Sequence, residues 1–390
     1  MALNYFDKAA VFAGPLLVPF LLHDKVLYNE IEYAYAIAPL LAVVLDAGIR
    51  TYFLQAYRAS DDRVSLVDEV GSYFHLQLSI YIVIAIIVAS LSGIFGLGLA
   101  IVVSCSIRAL FLLAQGFYQR YYRLLDVPSK AFIFSLAGGV ATMLIVALFW
   151  MHGAALQTWQ FFAAQALVTL LACIMGIRAL ARIHWKRFLA YLWRALVYGW
   201  PVMVNVLAMS LLNNIGKIYA FSALSAEDMF RLSLIQRIAM IVQLTHIGMI
   251  GYIEKKIFLA ESTASITKIF IAYASVLTTV TVGALVVLWA LPHVSSVNPG
   301  PIDMVAVILL ISTILWCTVA YGEMLMLKYH IQKLIPLFSI TGFMISVALL
   351  YSGEAINLHG VVLATLAGVS VNFLLMFSTI FILRRKRLAA

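Results

Sequence analysis

The sequence predicts an all-helical membrane protein of twelve spans in two six-helix lobes, and three observations predict it. Hydrophobic residues make up 64% of the 390 and charged residues 11%, against about 45–50% and about 25% in soluble domains. The apolar residues gather into twelve segments, each near the roughly 20 residues that a spanning helix needs, and mean hydropathy is +1.02. Of the 26 Lys and Arg, 21 lie in the termini and alternate connections, while the remaining connections hold Lys25 alone. That asymmetry is the positive-inside pattern and places both termini in the cytoplasm. The net charge of +9 is therefore a topology signal, not a nucleic-acid surface.

The predicted spans are 9–22, 31–49, 73–91, 97–118, 131–150 and 159–177 in the first lobe. The first is the shortest, carries Gly14-Pro15 and Pro19, and lacks a small-residue cleavage site. It reads as a retained helix and not as a removed signal peptide. The second ends Leu45-Asp46-Ala47-Gly48-Ile49-Arg50, where Asp46 and Arg50 have i,i+4 spacing suited to a salt bridge at the cytoplasmic rim; a proton or cation site is the alternative. Residues 51–72 mix acids and bases as a solvated connector. The fourth span carries Arg108 at mid-depth.

Residues 181–194 place Trp185, Phe188, Leu189, Leu192 and Trp193 at helical spacing among Arg182, Lys186, Arg187 and Arg194. This predicts an interfacial amphipathic linker between a lobe at 1–180 and a lobe at 195–390. The second lobe has spans at 195–221, 229–252, 269–291, 304–326, 334–351 and 357–383, then the basic run Arg384-Arg385-Lys386-Arg387. Ala114-Gln115-Gly116-Phe117 in the fourth span is echoed by Ala320-Tyr321-Gly322-Glu323 in the tenth, and Gly14-Pro15 by Gly199-Trp200-Pro201. Such echoes are the trace of an internal parallel duplication.

The hairpin of spans seven and eight holds most of the polar residues: Asn205, Asn213, Asn214, Lys217, Arg231, Gln236, Arg237, Gln243 and His246. An ionisable group at membrane depth costs about 2.5–3.5 kcal/mol on insertion scales and so faces protein or a wet cavity. Arg108, Lys217, Arg231 and Arg237, with Asn205, Asn213, Asn214 and Gln243, are the candidate binding residues for an anionic cargo. Asp46, Glu323 and His246 are the candidates for ion coupling or a gate. Cys105, Cys173 and Cys317 fall inside spans without metal-ligand spacing, so neither a disulfide nor a metal is expected. No glycine-rich stretch matches a phosphate-cradling nucleotide loop, and no cofactor is called for.

Glu32-Tyr33-Ala34, Leu45-Asp46-Ala47-Gly48 and Tyr198-Gly199-Trp200-Pro201 resemble motifs of the Wzx-type polysaccharide flippases. These belong to the multidrug/oligosaccharidyl-lipid/polysaccharide exporter superfamily. The resemblance spans nearly the whole chain, with departures at Ala34 and Ala47. It implies two lobes with helices 1, 2, 7 and 8 lining a central cavity in the bacterial inner membrane. It also implies an undecaprenyl-pyrophosphate-linked oligosaccharide as cargo, moved between leaflets by alternating access with H+ or Na+ as a possible coupling ion. Membrane lipids and other polysaccharide-assembly proteins are the expected partners. A multidrug exporter of the same superfamily is the second reading. A membrane polymerase or glycosyltransferase is the third, though the outer turns are too short for such chemistry, so no enzyme activity is expected.

Overall fold

The computed structural model describes residues 2–95, 98–180, 184–260, 262–352 and 357–389, and every regular element among them is helical. Helix α1 (Ala2–Leu17) passes into a π-helical turn at Val18–Leu22, since Pro15 and Pro19 each remove an amide from the ladder. Asp24 opens α2 (Lys25–Asp46) by accepting from the Leu27 amide at 2.9 Å, a side-chain cap for a donor the helix cannot satisfy itself. Then come α3 (Ile49–Ala59), α4 (Arg63–Leu91), α5 (Leu99–Leu124) and α6 (Pro128–His152). One turn, α7 (Thr158–Phe161), precedes α8 (Ala163–Leu180). The rest are α9 (Trp185–Ala223), α10 (Ala226–Leu259), α11 (Thr263–Val294), α12 (Met304–Lys328), α13 (Ile335–Tyr351) and α14 (Leu358–Ala389).

Nine of these helices are long and apolar enough to cross a membrane, and the pair α2–α3, bent by 41°, makes a tenth. The shorter apolar helices Ala9–Leu22 and Ala163–Ile174 stand at the first and sixth expected spans. With them, the described residues supply all twelve.

The chain divides into two bodies, Met1–Leu207 and Ala208–Ala390. In the first, α5 is the central helix, packed on α2, α4, α6 and α8. Its core is aromatic: Phe74 stacks on Phe117 with centroids 3.8 Å apart, and Tyr118 meets Phe134 at 5.2 Å. In the second, α12 is central, packed on α10, α11 and α14. There Tyr273 stacks on Tyr321 at 5.3 Å.

The division falls inside α9 and not at the expected linker. From Trp185 onward the linker residues are simply the first turns of that helix, because nothing breaks the helical spacing before Gly199 and Pro201. Their two-sided character is real: Phe188 and Tyr191 are buried in the first body's core, while Trp185, Leu189 and Trp193 are exposed. Residues 181–183, where the linker was expected to begin, lie outside the described residues.

The two bodies repeat each other's local geometry. Asp24 caps α2 as Ser225 caps α10, α3 ends at Ser60 as α10 ends at Ala260, and Asp62 caps α4 as Ser262 caps α11. The first pair is 201 residues apart and the other two are 200 apart. The first body thus carries one extra residue between these caps, and it is there that α2 breaks from α3. Ala47 (φ 47°) and Gly48 (φ 78°) both turn left-handed at that point, whereas α10 runs through unbroken.

Candidate functional site

Each body encloses its own set of polar side chains. In the first, Arg108 on α5 is 4% exposed. Its Nη1 donates to Gln165 Oε1 on α8 at 3.0 Å, and Gln165 Nε2 reaches Thr142 Oγ1 on α6 at 3.4 Å. Thr142 in turn donates to the Gly138 carbonyl at 2.8 Å. The guanidinium also lies over the Tyr35 ring of α2, 4.4 Å from its centroid, and 5.6 Å from that of Phe111. A desolvated cation–π contact is worth about 2 kcal/mol or more. Three helices, α2, α5 and α8, therefore meet at one buried guanidinium, and α6 joins them through Gln165. Glu32 of α2 is also fully buried in this body, so its interior is of mixed sign.

At the rim of the same body Asp46 does form the expected bridge, with its Oδ1 2.6 Å from Arg50 Nε. It does so across the Ala47-Gly48 break and not along one helix. The Arg50 carbonyl accepts a hydrogen bond from Arg120 of α5. Gly116 leaves room for the Arg50 fork, since a Cβ there would stand 2.1 Å from its Nη1. On the other side the break presses on α9, where Gly48 and Gly199 meet backbone to backbone; a Cβ on Gly199 would lie 2.5 Å from the Gly48 Cα. Asp46 thus sits in a structural clamp.

In the second body, Lys217 on α9 and Arg237 on α10 are 6% and 1% exposed. Arg237 is the largest fully buried side chain among the described residues. Asn213 and Gln243 are half-buried, and half-buried Asn214 donates to the Ser210 carbonyl of its own helix at 2.8 Å. Asn205, also half-buried, falls in the first body. Glu323 is half-buried close to the end of α12. His246 is buried among aromatics, its Nδ1 2.6 Å from the Tyr273 hydroxyl.

Arg231 is occupied elsewhere than its neighbours. Its Nη2 is 2.8 Å from Asp303 Oδ1, and it donates to the Pro299 and Pro301 carbonyls at 3.1 and 2.9 Å. It pins the proline-rich loop before α12. Asp303 also caps α12 through the Val305 and Ala306 amides. Partial burial alone would push this carboxyl up, but the hydrogen bonds from Arg231 and from the Ala306 and Val305 amides, with the Arg231 charge, together outweigh that and hold it below the usual carboxylate range.

Gln165, Thr142, Tyr273 and Trp316 are the residues that sequence reasoning passed over. Gln165 and Thr169, four apart in an otherwise apolar segment, were the available signal for a polar stripe on α8. Among the described residues, no group of His, Cys, Asp or Glu is arranged to hold a metal ion.

No family model and no curated protein matches the chain in sequence. Solved structures match its shape. An inward-facing multidrug resistance MATE family transporter of the MOP superfamily is similar over 97% of this chain and 96% of its own, with a TM-score of 0.67 and 13% identity. The chain has the fold of a MATE transporter. An outward-facing MATE transporter is similar over 98% of this chain and 94% of its own, with a TM-score of 0.55 and 14% identity. A MOP superfamily transporter from Pyrococcus furiosus, described as having a binding pocket of reverse polarity, covers 98% of this chain and 95% of its own at 11% identity and a TM-score of 0.54. Within the MATE fold, the cargo is a matter for the site.

Proposed function

We propose that this protein is a Wzx-type flippase of the bacterial inner membrane, with both termini cytoplasmic. It carries a lipid-linked oligosaccharide with a diphosphate head group to the outer leaflet. The observation that carries this reading is the sign of the second body's interior. That body buries Lys217 and Arg237, while its half-buried Glu323 lies at the end of α12. A guanidinium fork matches phosphate oxygens bidentately, whereas exporters of organic cations need acids at depth. The relative from Pyrococcus furiosus, whose pocket is described as reversed in polarity with a different function suggested, supports reading cargo from pocket charge within this fold. Asn213 and Gln243 are suited to sugar hydroxyls, and the work is drawn from an ion gradient.

The exporter reading is favoured by the fold of the multidrug transporter alone. The two separate in proteoliposomes given either a fluorescent diphosphate-linked oligosaccharide lipid or a fluorescent organic cation. The lipid crosses, and Arg237→Ala and Arg108→Ala stop it while inserting normally; Arg237→Lys retains part of the activity. Transport of the cation with no movement of the lipid would overturn the proposal.

A further inference from the structure

His246 lies in the second body one residue short of the place that Asp46 holds in the first, counted from the caps Asp24 and Ser225, and both are buried. Their surroundings differ. Asp46 is matched by Arg50 within its clamp. Among the described residues, the groups that meet the His246 ring are the uncharged Tyr273 and Trp316.

The hydrogen bonds fix its tautomer. The Tyr273 hydroxyl donates to the Cys317 carbonyl at 2.9 Å. Its single hydrogen is thereby used, so it accepts from His246 Nδ1 at 2.6 Å. The neutral ring therefore carries its proton on Nδ1 and a lone pair on Nε2. Beside it, edge to face at 6.1 Å and 77°, stands Trp316. The indole Nε1–H of Trp316 is buried and without an acceptor. A basic nitrogen and an unsatisfied donor thus belong to two rings in edge-to-face contact, one on α10 and one on α12.

We propose that His246 Nε2 is a proton-binding site, with Trp316 Nε1 holding the water through which the proton comes and goes, and that H+ is the ion coupled to transport. Its role in coupling rests on the transporter reading above; the proton site itself does not. The proton passes from hydronium in the aqueous phase to Nε2 and returns to water on release. The groups on the ring from the helices packed around it are Tyr273 of α11 and Trp316 of α12, with the Cys317 carbonyl and the Tyr321 ring against Tyr273. The charged groups that come next to it along these helices, Arg237 and Glu254 on α10, Lys268 on α11 and Glu323 on α12, lie further toward the helix ends, and Glu227, Asp228, Arg231, Lys255, Lys256 and Lys328 further still. An imidazolium in such surroundings is stable only while water reaches it, so its protonation is tied to whichever conformation admits water, which is what coupling requires.

The proton site is tested first without any cargo. In nanodiscs, the tryptophan fluorescence of the wild type minus that of Trp316→Phe isolates the Trp316 signal, which a neighbouring imidazolium quenches. The expected result is a one-proton loss of that signal as pH falls from alkaline to mildly acid, abolished in His246→Gln and moved to lower pH in Tyr273→Phe. A transition that survives in His246→Gln, or no transition in the wild type, overturns the site. Proteoliposomes then test coupling, with a pH gradient accelerating transport in the wild type and not in His246→Gln. A titrating site with gradient-independent transport overturns the coupling. Gradient-driven movement of an organic cation in place of the lipid upholds the site and overturns only the cargo reading.

Discussion

Asp126 and His330 stand at the same point of two copies of one helix ending. Both are left-handed, at φ 57° and 61°. The amide that follows each bonds back to a carbonyl of the last turn, Val127 to Tyr122 and Ile331 to Met326, at 2.9 Å in both cases. This aligned pair also sets the register of the internal repeat, opposing Phe117 to Tyr321, each in its body's stacked aromatic core. The sequence echo of Gly116 with Gly322 is therefore two residues out of step.

A left-handed non-glycine residue carries about 1 kcal/mol of strain, and both side chains are exposed. Asp126→Gly and His330→Gly should each stabilise the protein by about 0.5–1 kcal/mol. Thermal unfolding in nanodiscs reads the change. Val at either position should lower the midpoint, because a β-branched side chain tolerates this backbone least.

Gly48 should be far less forgiving than Gly153, although both have positive φ. A Cβ at Gly48 would lie 2.5 Å from the Ala195 carbonyl, whereas one at Gly153 would meet nothing within 4 Å. Gly153→Ala should cost only the backbone strain, about 1–2 kcal/mol. Gly48→Ala adds overpacking of about 1–3 kcal/mol. Equal midpoints for the two variants would show that the Gly48–Gly199 contact is soft.

The Arg231–Asp303 bridge predicts a pH dependence of the loop it pins. The folded carboxyl is lowered, so its contribution is fully present above the ordinary Asp range, about 3.9, and is lost as pH falls through the lower folded value. Hydrogen exchange in residues 295–303 should therefore rise only in acid. Asp303→Asn should exchange fast at every pH. A wild-type loop that loosens near neutrality would assign the hold to some other group.

Much of this was legible in the sequence. Twelve apolar runs carry the helices, because spans must satisfy their own backbone and read as long uninterrupted stretches. The Asp46–Arg50 bridge was legible from spacing alone. The break beneath it was not, since Ala47-Gly48 is ordinary within a helix until one extra residue must be accommodated. The partner of Arg231 was missed for a different reason. It is Asp303, far away in the sequence and brought in by the packing of α12 on α10, and no local spacing announces such a contact. Amphipathic spacing at the linker does not say where one helix stops and the next begins, and from Trp185 α9 runs on without a break.

The last prediction turns on Arg108 and Gln165, whose side chains meet inside the first body at 3.0 Å. If Arg108 serves an anionic cargo, its positive charge must remain uncancelled on the α8 side, where Gln165 offers only a neutral carbonyl. Gln165→Glu changes that single property. A carboxylate there would accept from the same guanidinium as a charge-assisted bond, roughly twice as strong as a neutral one. Thermal stability should hold or rise, because the new charge is matched where it is buried, whereas Gln165→Ala leaves a buried donor without its acceptor and should cost about 1–3 kcal/mol. Export of the diphosphate-linked lipid should fall steeply in Gln165→Glu despite its stability, and less in Gln165→Ala, which keeps the positive field. Arg108→Lys keeps the charge but loses the fork and the stacking on Tyr35, so it should lie between. Full export by Gln165→Glu would mean that the charge of Arg108 is already spent on the fold, and the anionic path would then have to run through the second body alone.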